Sequence, residues 1–279
     1  MNYLIVMKVM KTKFLVSLIM SLISSQFMGC SEQNKQTEVL QFSPSFGGVT
    51  LNCKRFFNLD NKKWRYQQLQ MYISDIELKS EDGSWQSWPM TVSNFQHSNI
   101  ALIGENCRDN QDSTHWQIEL KSIQKFNEKT HIRFTLGIPF ELNHLNPLSQ
   151  PSPLNDSSMF WVWQTGHKFL RLELASADDN WLFHLGSTGC SAPSVMRAPK
   201  QPCAQPNQVV VELPFPKQKP RQSAQQTKTI QFDLSALLQD TKVTMKTSCQ
   251  SAIDDENCIK PLSHIGVTNQ QKVFSIDGK

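Results

Sequence analysis

The 279-residue sequence lacks the local motifs of several large enzyme classes. It contains no G-x-S-x-G nucleophile elbow, no H-E-x-x-H zinc motif, no Walker phosphate-binding loop and no Rossmann glycine pattern. Carboxylates are scattered along the chain, and no pair stands out as the acid and base of a glycosidase. These absences argue against an enzyme and favour a binding or structural protein.

The N-terminal segment 1–29 is typical of an export signal. Three lysines precede an apolar run over 14–23, which is too short for a transmembrane helix. The segment leads into M-G-C, which resembles a bacterial lipobox although Phe27 stands where Leu is usual. We therefore expect cleavage before Cys30, lipidation of Cys30 and anchoring to the outer membrane, facing the periplasm or the cell surface. A soluble periplasmic protein is the alternative.

Basic runs are also missing from the sequence. Residues 1–29 hold three lysines and no acidic residue, so their removal leaves 25 basic and 24 acidic side chains. A near-neutral chain without a Lys/Arg-rich run has no electrostatic footprint for nucleic acid. No nucleic-acid partner is therefore expected.

Apart from Cys30, six cysteines remain, and no two of them form a C-x-x-C pair. They are Cys53, Cys107, Cys190, Cys203, Cys249 and Cys258. An even number of cysteines in an exported chain predicts a set of disulfides, but the sequence does not determine which cysteines pair. Proximity along the chain favours 190–203 and 249–258, which leaves 53–107. A cysteine metal site is the weaker alternative.

Strand-like alternation of apolar and polar residues fills most of the remaining chain. The predicted strands are 49–53, 66–79, 100–103, 116–120, 131–136, 169–174, 181–185, 209–213, 230–234 and 243–247. Within 66–79 the alternation changes phase after Ile73, which predicts a β-bulge. The polar turn 81–84 predicts a hairpin, and 235–239 predicts one helical turn capped by Asp233 or Ser235.

These elements predict an all-β fold. About ten short strands, few helices and cysteines in loops indicate a single antiparallel β-sandwich domain over 42–279, with long loops and disulfides. Residues 30–41 are polar and are predicted to be a flexible tether. The segment 214–227 is predicted to be a long surface loop within the same domain.

Histidine and tryptophan are concentrated in residues 140–190. This stretch holds His144, His167, His184, Trp161, Trp163 and Trp181. Large aromatics beside several imidazoles suit a soft or borderline cation in a partly dry pocket, and imidazole binds copper and zinc. The alternative is an aromatic β core whose histidines are incidental.

His144 and His184 are the better ligand candidates. His144 lies in a proline-containing turn, and His184 ends a strand shortly before Cys190, where a disulfide would limit its freedom. Together they could supply two nitrogen donors. His167 is a weaker ligand candidate, because it belongs to a Thr-Gly-His turn that the histidine can simply cap. The histidines interpreted as incidental are His97, His115, His131 and His264.

Long segments of the chain resemble the MbnP-like family. The most specific are MFWVWQTGHKFLRLE at 159–173 and FHLGSTGC at 183–190. Shorter similar segments lie at 71–83, 99–103, 134–147 and 153–161. The similarity extends from about Phe42 to near the C-terminus, and the last four cysteines look like the four cysteines of the family.

The resemblance implies an exported copper-binding protein encoded beside a di-haem MauG/MbnH-like peroxidase. In such proteins that partner oxidises one tryptophan to kynurenine, and histidines complete a Cu(I) site. His144 and His184 match the motif histidines, and Trp163 and Trp161 match the motif tryptophans, with Trp163 expected to be the modified one. His167 stands where tyrosine is expected and is not carried over.

The resemblance therefore predicts a protein of copper handling that is the substrate of a haem enzyme and not itself an enzyme. One alternative is a structural or adhesion-type surface β-sandwich lipoprotein without a metal site. Another is an enzyme with a catalytic copper, for which the sequence names no substrate.

Overall fold

Strands dominate the structure, as the sequence predicts. The computed structural model describes residues 38–108, 114–121, 129–216 and 227–276. The strands are β1 (Glu38–Phe46), β2 (Val49–Thr50), β3 (Phe57–Leu59), β4 (Lys62–Ser80), β5 (Trp85–Ser87), β6 (Gln96–His97), β7 (Ile100–Asn106), β8 (Gln117–Leu120), β9 (Lys129–Leu136), β10 (Lys168–Ala175), β11 (Asn180–Gly186), β12 (Val209–Pro214), β13 (Thr227–Asp233) and β14 (Phe274–Ile276).

Helices in the described part of the chain are short. They are α1 (Phe140–Asn143), α2 (Leu234–Leu237) and α3 (Ile259–Ile265), with 3-10 turns at Pro147–Ser149, Ser157–Met159 and Met245–Thr247. No helix in these ranges has the length and apolar character needed to cross a bilayer. The helical turn predicted at 235–239 is α2, whose first turn is capped by the side chain of Asp233.

The strands form two sheets with a shared core, which confirms the predicted sandwich. One sheet has the order β14-β13-β1-β2, with β8 also on β1. The nine-stranded sheet has the order β11-β10-β4-β7-β6, and β3, β5, β9 and β12 extend it. Phe134 of β9 makes edge-to-face contacts with Phe42 of β1 and Phe274 of β14. These aromatic contacts join the two sheets across the core.

The 19-residue strand β4 organises the larger sheet. Its first half pairs with β7 and β10, and its second half pairs with β5 and β9. The register shifts between Ser74 and Glu77, and Asp75 has a φ of 51°. This is the bulge that the phase change after Ile73 predicts. The predicted hairpin turn also forms, since the N–H of Ser80 donates to the carbonyl oxygen of Ser84.

Strand β1 corrects two expectations. It pairs in parallel with β13, so the sandwich is not wholly antiparallel. It also begins at Glu38, so residues 38–41 are not part of a flexible tether: they pair with β8 on one side, 39–41 pair with β13 on the other, and Leu40 is fully buried. The cleavage site, Cys30 and the rest of the predicted tether lie outside the described residues.

The strand predicted at 243–247 is wrong. The segment instead ends in the 3-10 turn Met245–Thr247. Thr247 Oγ1 accepts from the N–H of Thr244 and donates to the carbonyl oxygen of Lys242, so local side-chain bonds replace strand pairing. In the predicted loop 214–227, Pro214 ends β12 and Thr227 begins β13, and 217–226 lie outside the described residues.

Three disulfides hold the loops. They join Cys53 to Cys107, Cys190 to Cys203 and Cys249 to Cys258, the pairs that proximity along the chain favours. The second fastens the loop that follows β11, and the third fastens the segment beside β11. Both therefore stabilise the surroundings of the candidate histidines.

Candidate metal centre

Backbone hydrogen bonds fix His184 within β11. Its N–H donates to the carbonyl oxygen of Cys249 over 3.0 Å, and its carbonyl oxygen accepts from Ser251 Oγ over 2.7 Å. Ser251 Oγ also accepts from the N–H of Gly186. Because the disulfide from Cys249 to Cys258 holds this neighbouring segment, the backbone at His184 has little freedom.

The imidazole of His184 lies in a network of charged side chains. Its Nε2 atom is 3.1 Å from Glu173 Oε1. The same carboxylate accepts from Arg171 Nε over 2.6 Å and pairs with Arg108 Nη1 over 2.8 Å. On the opposite side of the ring, His184 Nδ1 is buried and has no hydrogen-bond partner among the described residues.

Burial and charge set the protonation of this pair. Burial alone would raise the pKa of Glu173, but hydrogen bonds from His184 and Arg171 and the charges of Arg171 and Arg108 lower that pKa to about 2. Burial lowers the pKa of His184, and the hydrogen bond to Glu173 offsets only part of the effect. At neutral pH the carboxylate is ionised and the imidazole is neutral, with one N–H and one lone pair.

His144 occupies a different environment at the C-terminal end of α1. Its ring packs on Phe140 with centroids 5.1 Å apart. Nδ1 donates to the carbonyl oxygen of Trp163 over 3.3 Å, which leaves the lone pair on Nε2. Nε2 is 3.3 Å from Asn143 Nδ2 and 3.7 Å from Cys203 Sγ. Burial lowers the pKa of His144, so this imidazole is also neutral at pH 7.

His144 lies against the disulfide between Cys190 and Cys203. Its ligand atom and the two sulfur atoms all lie within 4.8 Å of one another. The sulfurs are bonded to each other, so neither is a thiolate, the form in which cysteine binds metals. Among the described residues, the groups of three or more potential ligands this close do not include His184. The two histidines therefore have separate environments.

Asn143 connects these environments. Its Nδ2 atom is 3.4 Å from Oγ of Ser187, which lies three residues after His184. Its Oδ1 atom accepts from the backbone N–H of His167 over 2.8 Å. The structure therefore brings the segments that carry His144 and His184 to one region of the molecule.

His167 is fully buried and structural. Its Nδ1 and Nε2 atoms lie 2.7 Å from the carbonyl oxygen of Asn143 and 3.0 Å from that of Leu154. Carbonyl oxygens occupy both ring nitrogens, so neither is open to a metal. This geometry agrees with leaving His167 out of the ligand set.

Trp161 and Trp163 are both half-buried but differ in their contacts. The ring of Trp161 lies 6.3 Å from that of His184, centroid to centroid. The ammonium of Lys168 is 5.8 Å from the centroid of the Trp161 ring. Trp163 instead accepts the hydrogen bond from His144 with its backbone carbonyl. One tryptophan therefore adjoins each candidate histidine.

The four histidines interpreted as incidental have local contacts of their own. His97 Nδ1 lies 2.7 Å from Ser98 Oγ, and His264 Nδ1 lies 3.1 Å from the carbonyl oxygen of Leu237. His115 stacks on Phe95, although its Nε2 atom, like Nδ1 of His184, is buried without a hydrogen-bond partner among the described residues. His131 Nδ1 lies 3.1 Å from Thr130 Oγ1.

Sequence reasoning missed the charged residues around His184. Glu173 and Arg171 lie on one face of β10, and their i, i+2 spacing in an alternating strand is a signal that could have found them. Lys168 Nζ donates to the carbonyl oxygen of Ser158, and burial lowers its pKa to about 8. Arg108 directly follows a disulfide cysteine, and no local pattern marks it.

Comparison with known proteins decides the family. A family model described as MbnP matches residues 35–251, which include both candidate histidines and both candidate tryptophans. The chain belongs to the MbnP family. This confirms the resemblance that the sequence motifs indicate, and the matched region ends at Ser251, the residue that bonds the backbone of His184.

A solved structure shows the same fold as this MbnP-family chain. MbnP from Methylosinus trichosporium is similar with a TM-score of 0.70 and 19% sequence identity, over 86% of this chain and 98% of that chain. At this identity the likeness shows the shared fold alone. Among curated protein sequences, no relative matches.

Proposed function

We propose that this MbnP-family protein binds copper as Cu(I) through His144 and His184 and takes part in copper handling. Its family membership supports a copper-related role. The observation that carries the proposal is the buried Nδ1 atom of His184, which has no partner among the described residues. A buried polar atom without a partner is unfavourable, and in a family tied to copper a bound metal ion is one way to satisfy it.

The donor set fits copper. Both imidazoles are neutral at pH 7 because burial lowers their pKa values, so each offers a lone pair without first losing a proton. The lone pairs lie on Nδ1 of His184 and on Nε2 of His144, where a metal ion would replace the hydrogen bond from Asn143 Nδ2. Imidazole nitrogen is a good copper ligand, and a bound Cu(I) would supply a soft, redox-active centre.

We further propose that Trp163 is the tryptophan converted to kynurenine. The Lys168 ammonium near the face of Trp161 opposes removal of an electron from that ring, because the cation and the oxidised indole repel each other. Trp163 adjoins His144 through its backbone carbonyl. This contrast supports Trp163 as the modified residue and leaves Trp161 as an indole packed beside His184.

A di-haem MauG/MbnH-like peroxidase is the proposed partner for this oxidation, with two molecules of hydrogen peroxide as oxidant, each of which gives one oxygen atom and is reduced to water. Two oxygen atoms add across the C2–C3 bond of the indole, and hydrolysis then removes C2 as formate. The product gains one oxygen, loses one carbon and carries an aromatic amine and a ketone, donors that tryptophan lacks. The protein is thus the substrate of the haem enzyme and not itself an enzyme.

We place the protein outside the cytoplasm, attached to the outer membrane through a lipid on Cys30 and facing the periplasm or the cell surface. The support is the signal-like segment 1–29 and the M-G-C sequence that ends at Cys30. Three disulfides fit an oxidising compartment.

Metal analysis tests the proposed function. The chain is produced with and without its di-haem partner, loaded with Cu(I) and freed of unbound metal. We expect copper to stay with the protein and to be held more tightly after co-production. Absence of copper in both preparations would exclude the copper site and favour a structural surface lipoprotein.

Peptide mass spectrometry of the co-produced protein tests the modification. The net gain of one oxygen and loss of one carbon is expected at Trp163. Trp181 is the internal control, because it is buried and its Nε1 donates to the carbonyl oxygen of Thr247. A mass change at Trp161 instead of Trp163 would show that Trp161 is the modified residue. If neither tryptophan shows the mass change, the kynurenine proposal is excluded.

A further inference from the structure

Glu173 controls which nitrogen of His184 is free. The Nε2 atom of His184 faces Glu173 Oε1 at 3.1 Å, whereas Nδ1 has no hydrogen-bond partner among the described residues. An ionised carboxylate only accepts hydrogen bonds, so Nε2 must carry the proton. The opposite tautomer would set a lone pair against the carboxylate and bury an N–H without an acceptor.

Two arginines keep Glu173 in place. Arg171 Nε donates to Oε1 over 2.6 Å, and Arg108 Nη1 pairs with Oε2 over 2.8 Å. Arg171 Nη1 also donates to the carbonyl oxygen of Ser158, which fixes the guanidinium. Both carboxylate oxygens are therefore bonded, and the carboxylate cannot rotate away from His184 without breaking these contacts.

We propose that Glu173 is a positioning residue that holds His184 as the Nε2–H tautomer and so makes Nδ1 its metal-binding atom. The inference rests on the proposed function for the identity of the metal. Its tautomer part stands on the hydrogen bonds alone. In metal sites, a carboxylate that accepts from the far nitrogen of a ligating histidine fixes the ring and increases its basicity.

Long-range proton–nitrogen NMR of the 15N-histidine-labelled, metal-free protein tests the tautomer directly. We expect His184 to show a protonated Nε2 and an unprotonated Nδ1, with its resonance assigned by comparison with His184→Ala. Protonation at Nδ1, either alone or together with Nε2, would overturn the proposal. This measurement needs no metal and no enzyme activity. It therefore decides the tautomer of His184 even if the protein does not bind copper.

Glu173→Gln tests control by the carboxylate. The single amide oxygen can replace Oε1 and keep the contacts to Arg171 and His184, with the NH2 group turned towards the more exposed Arg108, but the negative charge is lost. We expect the Nε2–H tautomer to be held less strongly and the Cu(I) affinity to be roughly 10–100-fold weaker. Glu77→Gln is the matched control, because Glu77 pairs with Arg133 over 2.6 Å and contacts no candidate ligand.

The outcomes separate the two levels of the proposal. A Cu(I) affinity of Glu173→Gln equal to that of Glu77→Gln contradicts the positioning role. If the wild-type chain binds no Cu(I), the proposed function fails while the tautomer result stands. If circular dichroism shows that Glu173→Gln does not fold, the wild-type spectrum still decides which nitrogen is free.

Discussion

The indole of Trp161 packs directly on the backbone of Gly186. A Cβ atom added to Gly186 would lie 2.6 Å from Cζ3 of Trp161 and 2.9 Å from the carbonyl oxygen of His167. Real Cβ atoms do not approach other atoms this closely, so the position requires glycine. The strand that carries His184 is thereby held close to Trp161.

Gly186→Ala should therefore displace Trp161. We expect a loss of roughly 1–3 kcal/mol in the free energy of unfolding, the usual range for overpacking, and a changed tryptophan emission. Urea unfolding and fluorescence measure both. Gly83→Ala is the control: its Cβ would meet no atom within 4 Å, so that variant reports only the strain of its φ of 86°. Equal behaviour of the two variants would contradict the packing argument.

Removing either candidate ligand should weaken copper binding. We expect His184→Ala and His144→Ala each to lower the Cu(I) affinity by at least ~10-fold. Each variant removes a ligand atom, and even the loss of a residue that only supports a metal ligand lowers the affinity by about that factor. Competition with a Cu(I) chelator measures the affinity. His97→Ala is the control, since that side chain bonds only its neighbour Ser98 among the contacts described. An unchanged affinity in His184→Ala removes His184 from the site.

The bulge in β4 predicts how substitutions of Asp75 change the free energy of unfolding. This exposed residue has a φ of 51°, a conformation that costs a β-branched residue roughly 1–2 kcal/mol. Asp75→Val should lower the free energy of unfolding by about that amount, and Asp75→Gly should not lower it. Chemical denaturation compares the two variants. If Val were as stable as Gly, the backbone at this position would not be left-handed.

The buried tyrosines predict the response to alkali. Burial and then the hydrogen bond to Glu105 raise the pKa of Tyr66, and burial raises that of Tyr72. Because their folded pKa values lie above the unfolded value of about 10, the stability they contribute is complete below that pH and is lost above it. In the chain without residues 1–29, which contain Tyr3, phenolate absorbance should rise together with unfolding. Tyrosine ionisation in the folded protein would refute this.

The proposed anchor predicts the cellular fraction of the protein. Cys30→Ser removes the thiol that lipidation requires, so the protein should move from the membrane pellet to the soluble fraction. Ser31→Ala leaves the thiol intact and serves as the control. Continued membrane attachment of Cys30→Ser would rule out the lipid anchor.

Local features of the fold could be predicted and distant pairings could not. The bulge near Asp75 and the turn 81–84 follow from patterns within a few residues. The strand status of 38–41 depends on β8 and β13, which supply both of its neighbours from distant parts of the chain. In 243–247, apolar and polar residues alternate as in a strand, but no strand forms. The hydroxyl of Thr247 instead makes hydrogen bonds with the nearby backbone groups of Thr244 and Lys242.

The same limit applies to the candidate site. Family motifs point to His144, His184 and the two tryptophans because those residues lie in long similar segments. The charge pair of Glu173 with Arg108 joins residues that are far apart in sequence, so only the folded chain shows it. Which nitrogen of each histidine is free likewise depends on partners contributed by other segments.

The parallel pairing of β1 with β13 sets the order in which the chain can fold. Val39 lies opposite Thr227, so the first strand lacks its central partner until nearly the whole polypeptide is present. Pairings of such large sequence separation form slowly, because much chain entropy is lost before any contact is gained. A growing chain consequently cannot complete the smaller sheet early. Folding of this protein should therefore follow, and not accompany, the emergence of its last third.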